Sequence, residues 1–135
     1  MRMFCLSAAA CRSETIWQDV APFFEYFERK TGEISAEQVR AGAIAEQLQI
    51  WGLQDAEQIH LVAATELAQT PKGLVCTLRI GCGSAPKALQ ERLLDEIGKW
   101  AKSLGATRMR IVGRQGWLRR FRRFRATAVV MECEL

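Results

Sequence analysis

Six arginines crowd one short stretch of this chain, Arg114, Arg119, Arg120, Arg122, Arg123 and Arg125, with Trp117, Phe121 and Phe124 set among them. A guanidinium makes paired hydrogen bonds to carboxylate or phosphate oxygens, so such a tract can hold an acidic protein surface, nucleic acid or the phosphates of a cofactor. A solvated helix face is the reading that needs no partner. On a helix, four-plus-three spacing puts the three aromatics on one face, which predicts that they pack in the core while the arginines project outward. The whole chain carries a net charge of only +4, so the excess is local.

The other candidates for chemistry are thiols and a single imidazole. Cys5, Cys11, Cys76, Cys82 and Cys133 are an odd number without a CxxC pair, which predicts reduced thiols. Cys76 and Cys82 could act as nucleophiles, yet no histidine stands in a pairing pattern with either. Metal sites bring close ligand pairs together with histidines, and this chain has only His60, so no metal site is expected. His60 lies in an apolar stretch and reads as a strand residue with a satisfied imidazole rather than a ligand or base.

The elements that must carry these residues can be read from periodicity. With 135 residues, 49% hydrophobic and 25% charged, the chain has the make-up of one folded domain rather than a disordered or fibrous segment. No apolar run approaches the length of a bilayer span. The opening Met1 to Arg12 tract is faintly like a signal peptide, but its short apolar part, interrupted by Ser7, reads better as a first strand.

Ser13 to Lys30 places Ile16, Val20, Phe23, Phe24 and Phe27 on one helical face, with Pro22 predicting a kink or a late start to the regular helix. Ser35 and Gln38 have capping-box spacing ahead of a second helix that buries Val39, Ala43 and Leu48. Trp51 to Glu57 reads as a loop or turn before a strand from Ile59 to Leu67. Thr70 to Gly73 then turns the chain into an alternating strand, Leu74 to Ile80.

A glycine-rich bend from Gly81 to Pro86, an amphipathic helix ending at Gly105 and a strand from Ala106 to Gly113 complete a βαβ unit, which predicts parallel pairing. A short helix from Gly116 to Phe124 and a final strand from Ala126 to Leu135 close the chain.

This order of elements resembles the GNAT superfamily of N-acetyltransferases over nearly the whole chain. The stretch Gly113-Arg114-Gln115-Gly116-Trp117-Leu118-Arg119-Arg120-Phe121 before an apolar strand is similar to the C-terminal half of small GNAT-like proteins, including those of bacteriophages. The resemblance implies an α/β (α+β) fold, a single GNAT-like domain over residues 1–135 with a mixed central sheet flanked by helices.

It further implies that acetyl-CoA phosphates would be held at the bend before the long helix, here by Gly81, Gly83, Ser84 and Lys87. The bend departs from the family's Q/R-x-x-G-x-G/A pattern. Pro86 has no amide proton, and the glycines precede the helix start instead of crossing it. The family's catalytic roles fall to Glu66 as a candidate base; the only tyrosine, Tyr26, sits among phenylalanines and reads as a residue at the edge of the core.

Two functions follow from this reading. The first is a non-catalytic binding or assembly protein with no cofactor, such as a structural component of a phage particle. It would dock through the arginine tract on an acidic protein surface, on other virion proteins or on nucleic acid. The second is a divergent acetyl-CoA-dependent N-acetyltransferase. Either places the chain in the cytoplasm or in a virion rather than in a membrane.

Overall fold

Serine caps set the boundaries of the N-terminal helices. In a computed structural model, which describes residues 1–113 and 116–135, strand β1 (Arg2–Leu6) leads into a one-turn helix α1 (Ala8–Arg12) capped by Ser7. Ser13 then caps α2 (Glu14–Thr31), which runs unbroken through Pro22 until Gly32 ends it with a left-handed φ of 64°. The buried face of α2 is Trp17, Val20 and Phe24, with Phe23 and Phe27 partly covered; Ile16, expected inside, is exposed. The shift follows from the helix start, which turns the indole of Trp17 inward against the Phe24 ring.

Helix α3 (Ala36–Ile44) begins at the expected capping box, with Ser35 and Gln38 each satisfying the other's backbone N–H. Leu48 lies beyond its end but still packs on the same core. Arg40 joins α3 to the corner between α1 and α2. Its guanidinium donates to the carbonyls of Cys11 and Arg12 and to the carboxylate of Glu14, and lies over the Trp17 ring.

Residues read as a loop form strand β2 (Gln49–Gln54), whose four central positions are buried. It pairs antiparallel with β1 and with β3 (Ile59–Thr70), so only Asp55 to Gln58 remain as the turn. Strand β3 pairs with β4 (Gly73–Gly83), which continues into the predicted bend and takes in Gly81 and Gly83. Helix α4 (Lys87–Ser103) crosses over to β5 (Ala106–Ile111), which lies parallel to β4 as the βαβ pattern requires.

The sheet order is β1-β2-β3-β4-β5, antiparallel in its first three pairings and parallel in the last. Helices α1 to α3 cover one face, packing on Ile50, Val62, Ala64, Ile80 and Cys82. Helix α4 covers the other, over Trp51, Leu61, Ala63, Cys76 and Leu78. The architecture is α+β, a mixed sheet flanked by helices.

The C-terminal part departs from expectation in two ways. Helix α5 (Gly116–Arg120) stops short of Phe124, although Trp117, Phe121 and Phe124 do pack together on the α4 side of the core as their spacing predicts. Ala126 to Leu135 forms no strand: it pairs with no other strand, and Val129, Val130 and Met131 are 73%, 82% and 88% exposed. An alternating apolar segment becomes a strand only where a sheet edge accepts its hydrogen bonds. Among the described residues, no helix is long and apolar enough to cross a membrane.

Candidate functional site

Strands β4 and β5 stay together only as far as Leu78 and Ile111, with one further bond from the Val112 N–H to the Leu78 carbonyl. Beyond that point, Arg79 to Gly83 continue along β3 without β5 beside them. The parting coincides with a bulge: Ala64 faces Ile80 and Thr65 faces Leu78, which leaves Arg79 as the extra residue in β4. Bulges turn a strand and interrupt its ladder, so the sheet opens into a fork there.

Small residues hollow out the fork on the α4 side. Ala63, Gly81 and Gly83 line a cavity of about 140 Å³, walled by Leu61, Leu78, Leu93, Ile111 and the Trp117 ring, with Arg120 also on its lining. Trp117 lies across Gly81, where a Cβ would meet the ring at 3.4 Å. A second cleft shares Leu94, Arg120 and Phe121 with the first and is otherwise lined by Lys87, Glu91, Asp95, Arg122 and Arg123. An apolar cavity therefore opens beside a predominantly cationic cleft at the start of α4.

The arginine tract divides at this cleft. Arg123 is tied to Asp95 at 2.6 Å and lies over the Phe124 ring, and Lys87 stands 3.8 Å from Glu91. Among the described residues, no carboxylate lies within salt-bridge reach of Arg120 or Arg122. Arg119 and Arg125 are exposed outside both cavities, and Arg114 lies outside the described residues.

The residues expected to cradle phosphate are only partly brought together. Gly81 and Gly83 sit within β4, and the Ser84 N–H donates to the His60 carbonyl at 2.9 Å, so that amide faces β3. Lys87 does reach the cationic cleft, on the first turn of a helix whose Pro86 cap contributes no side-chain hydrogen bond. The open amides and dipole of such a first turn favour an anion.

Glu66 lies near the fork on the opposite face. It alternates with Thr65, whose hydroxyl meets the Trp51 indole in the α4-side core, and it is held 3.1 Å from the guanidinium of the bulged Arg79. Tyr26 is not at the edge of the core as expected: its ring is exposed on α2, with the Lys30 ammonium above it. Cys76 and Cys82 are buried, and burial pushes both thiols up to about 11, which opposes a nucleophilic role at neutral pH.

His60 is more than a filled strand position. It sits in the irregularity between β2 and β3, and its Nε2 meets the Asp55 carboxylate. Asp55 also accepts the backbone N–H groups of Glu57 and Gln58. The His60 hydrogen bond, followed by those from Gln58 and Glu57, lowers the Asp55 carboxyl from 3.8 to about 2. A depressed carboxyl contributes stability that is complete above its unfolded value and lost as pH falls through the folded one. The thermal midpoint of the natural chain should accordingly fall between pH 4 and 2 more steeply than that of Asp55→Asn; parallel curves would show that the turn carries no such linkage. An aspartate followed by two turn residues was a legible signal for the turn, but its partner was not.

No family model and no curated protein matches this sequence. Solved structures do. An aminoglycoside acetyltransferase from an uncultured soil metagenomic sample, in complex with sisomicin, superposes with a TM-score of 0.74 at 10% identity, over 99% of this chain and 95% of that one. The fold is that of the GNAT acetyltransferases. A ribosomal-protein-alanine N-acetyltransferase from Brucella melitensis biovar Abortus gives 0.69 at 8% identity, over 99% and 96%. A predicted acetyltransferase from Clostridium acetobutylicum, solved with acetyl-CoA, gives 0.69 at 13% identity, over 98% and 95%. At these identities the likeness is one of fold: the GNAT framework is present over the whole length, and activity must be argued from the site.

Proposed function

We propose that this chain binds an acyl-CoA in the β4–β5 fork and serves as a divergent N-acyltransferase. The observation that carries the reading is an apolar cavity adjoining a cleft lined by Lys87, Arg120, Arg122 and Arg123 at the start of α4, the two sharing Leu94, Arg120 and Phe121. That pairing suits a ligand with an apolar end and a polyphosphate end. Likeness to acetyltransferases, one of them solved with acetyl-CoA, supports it.

The bound cofactor would supply an activated thioester. Arg120 and Arg122, which have no carboxylate within salt-bridge reach among the described residues, would hold its phosphates together with Lys87. On the other face, Glu66 would take the proton from an incoming amine, directly or through water, with Arg79 beside it at 3.1 Å holding it in position. With Tyr26 remote on α2, the departing thiolate would take its proton from water or from the acceptor.

Calorimetric titration with acetyl-CoA at low salt should show saturable, stoichiometric binding that weakens as salt rises. The variant R120Q/R122Q/R123Q should keep its fold and lose at least about tenfold in affinity, since charge-assisted contacts to phosphate are worth about 1.5–3 kcal/mol each. No heat at millimolar acetyl-CoA would overturn the reading.

A second reading keeps the GNAT frame without its chemistry. It is favoured by the Trp117 ring lying across Gly81 in the fork and by the absence of a tyrosine among the site's described residues. The same arginines would then dock on an acidic protein surface, as in the assembly of a phage particle, or on nucleic acid. Such a partner would be released by salt and lost in the arginine variant, with nuclease treatment telling protein from nucleic acid.

A further inference from the structure

The segment that the sequence predicts as a final strand, Ala126 to Leu135, is left without a sheet, and the sheet has an edge left without a strand. Every residue from Arg125 to Leu135 is exposed. The root of this tail is fixed on α4, where Arg123 meets Asp95 and the Phe124 ring meets that of Phe121, and the tail leaves the domain from there. Among the described residues, β5 is paired on one side only, with β4. An edge with open backbone groups is a template for one more strand. Exposed apolar residues also collect at these two places. Past α2, the large apolar side chains left exposed among the described residues are Leu104, Val112 and Leu118, which flank β5 in the chain, and Val129, Val130, Met131 and Leu135 in the tail.

The tail and the edge match face by face. In an extended tail, alternation puts Val129, Met131, Cys133 and Leu135 on one side and Val130, Glu132 and Glu134 on the other. On β5, Met109 and Ile111 pack on the α4 side of the core, while Arg108 and Arg110 alternate with them and are exposed. Arg108 donates to the Thr70 hydroxyl at 2.9 Å. Among the described residues, neither arginine has a carboxylate within salt-bridge reach, and neither Glu132 nor Glu134 has a basic partner. Two charges spaced two residues apart on each strand can meet whichever way the tail runs.

We propose that the chain dimerises by exchanging tails, residues 126–135 of each copy adding a strand to the β5 edge of the other. The apolar side of the tail then extends the surface of Met109 and Ile111, and Glu132 and Glu134 lie beside Arg108 and Arg110. A second copy is the occupant because each chain supplies one open edge and one strand that its own edge does not take, and a two-fold exchange fills both edges at once. A one-residue slip would turn the apolar side chains to the arginine face, so the charges also set the register. The inference is independent of the acyl-CoA reading.

Sedimentation velocity on the full chain, across the micromolar range, should show a dimer that weakens as salt rises. The charge reversals E132K/E134K and R108E/R110E should each keep the circular dichroism of the folded domain and weaken dimerisation at least about tenfold, because like charges then face each other across the added strand. Mixing the two variants should restore the dimer, since the reversed tail of one meets the reversed edge of the other while the natural tail meets the natural edge. If either reversal fails to fold, V129D/M131D, which alters exposed side chains only, should give a folded monomer. A natural chain that stays monomeric across that range would overturn the exchange. So would a dimer that survives both reversals or V129D/M131D, or a mixture of the two reversed variants that stays monomeric.

Discussion

Replacing Phe24 by alanine should cost about 3–5 kcal/mol, read as a lowered urea midpoint with an unchanged slope. The ring is 1% exposed, stacked on Trp17 at 5.6 Å with an interplanar angle of 8°, in the core that joins α2 and α3 to the sheet. Truncation removes its buried surface and leaves a hole whose walls belong to Trp17 and to fixed backbone elements, so little can collapse into it. Stability of a domain this size is about 5–15 kcal/mol, and the variant should lose a large part of it. Phe23→Ala is the internal comparison, because Phe23 is the same residue type one position away and only partly buried. Equal losses in the two variants would mean that α2 is not seated as described.

Gly83→Ala should be nearly as damaging, for a reason unrelated to burial. Gly83 has φ of 101°, and a Cβ built there would stand 2.1 Å from the His60 carbonyl oxygen and 2.9 Å from the Leu61 Cα. Both obstacles are backbone, so no rotamer change relieves them. Gly105→Ala separates the two causes: Gly105 has φ of 97° but nothing within 4 Å of the added carbon. It should show the conformational cost alone, about 1–3 kcal/mol, and Gly83→Ala should exceed it by about 2 kcal/mol or more. Because the same His60 carbonyl accepts the Ser84 N–H, displacement would also shift the start of α4 and weaken the acyl-CoA binding proposed for the fork. Equal unfolding free energies for the two variants would refute the close packing of β4 on β3 at this point.

Local signals carried much of the architecture. Alternation in Leu74 to Ile80 and the spacing of Leu93, Leu94, Ile97 and Ala101 were enough for the βαβ unit, and Ser35 with Gln38 marked a helix start that the structure reproduces. Strand β2 was hidden for the opposite reason. It is buried at both its faces, so it does not alternate, and Gly52 within it looks like punctuation. The structure explains that glycine: the Phe4 ring and the Leu61 carbonyl occupy the place of a side chain.

The site was less legible because it depends on where pairing stops. Nothing near Leu78 or Ile111 in sequence says that β4 and β5 part there, or that Arg79 is the residue left over. The arginine tract was visible as charge. Its division, with Arg120 and Arg122 joining Lys87 in a cleft and Arg123 satisfied by Asp95, required the fold. Likewise the Gly81 to Ser84 stretch, read as a loop, is held in the sheet by pairing with β3 and by the His60 carbonyl.

The two outer strands bear on how the protein behaves at high concentration. A sheet edge with free backbone groups is a template for another chain, and folded proteins suppress such pairing with short edges and charged side chains. Here β1 has 5 residues and begins at Arg2, while β5 has 6 and carries Arg108 and Arg110, so edges of two copies approaching each other meet like charge. The exposed Val129 to Met131 run is followed by Glu132 and Glu134, acidic residues that interrupt an otherwise aggregation-prone window. Charge at both sheet edges and along the tail thus acts as a solubility device, separate from the arginines gathered at the fork.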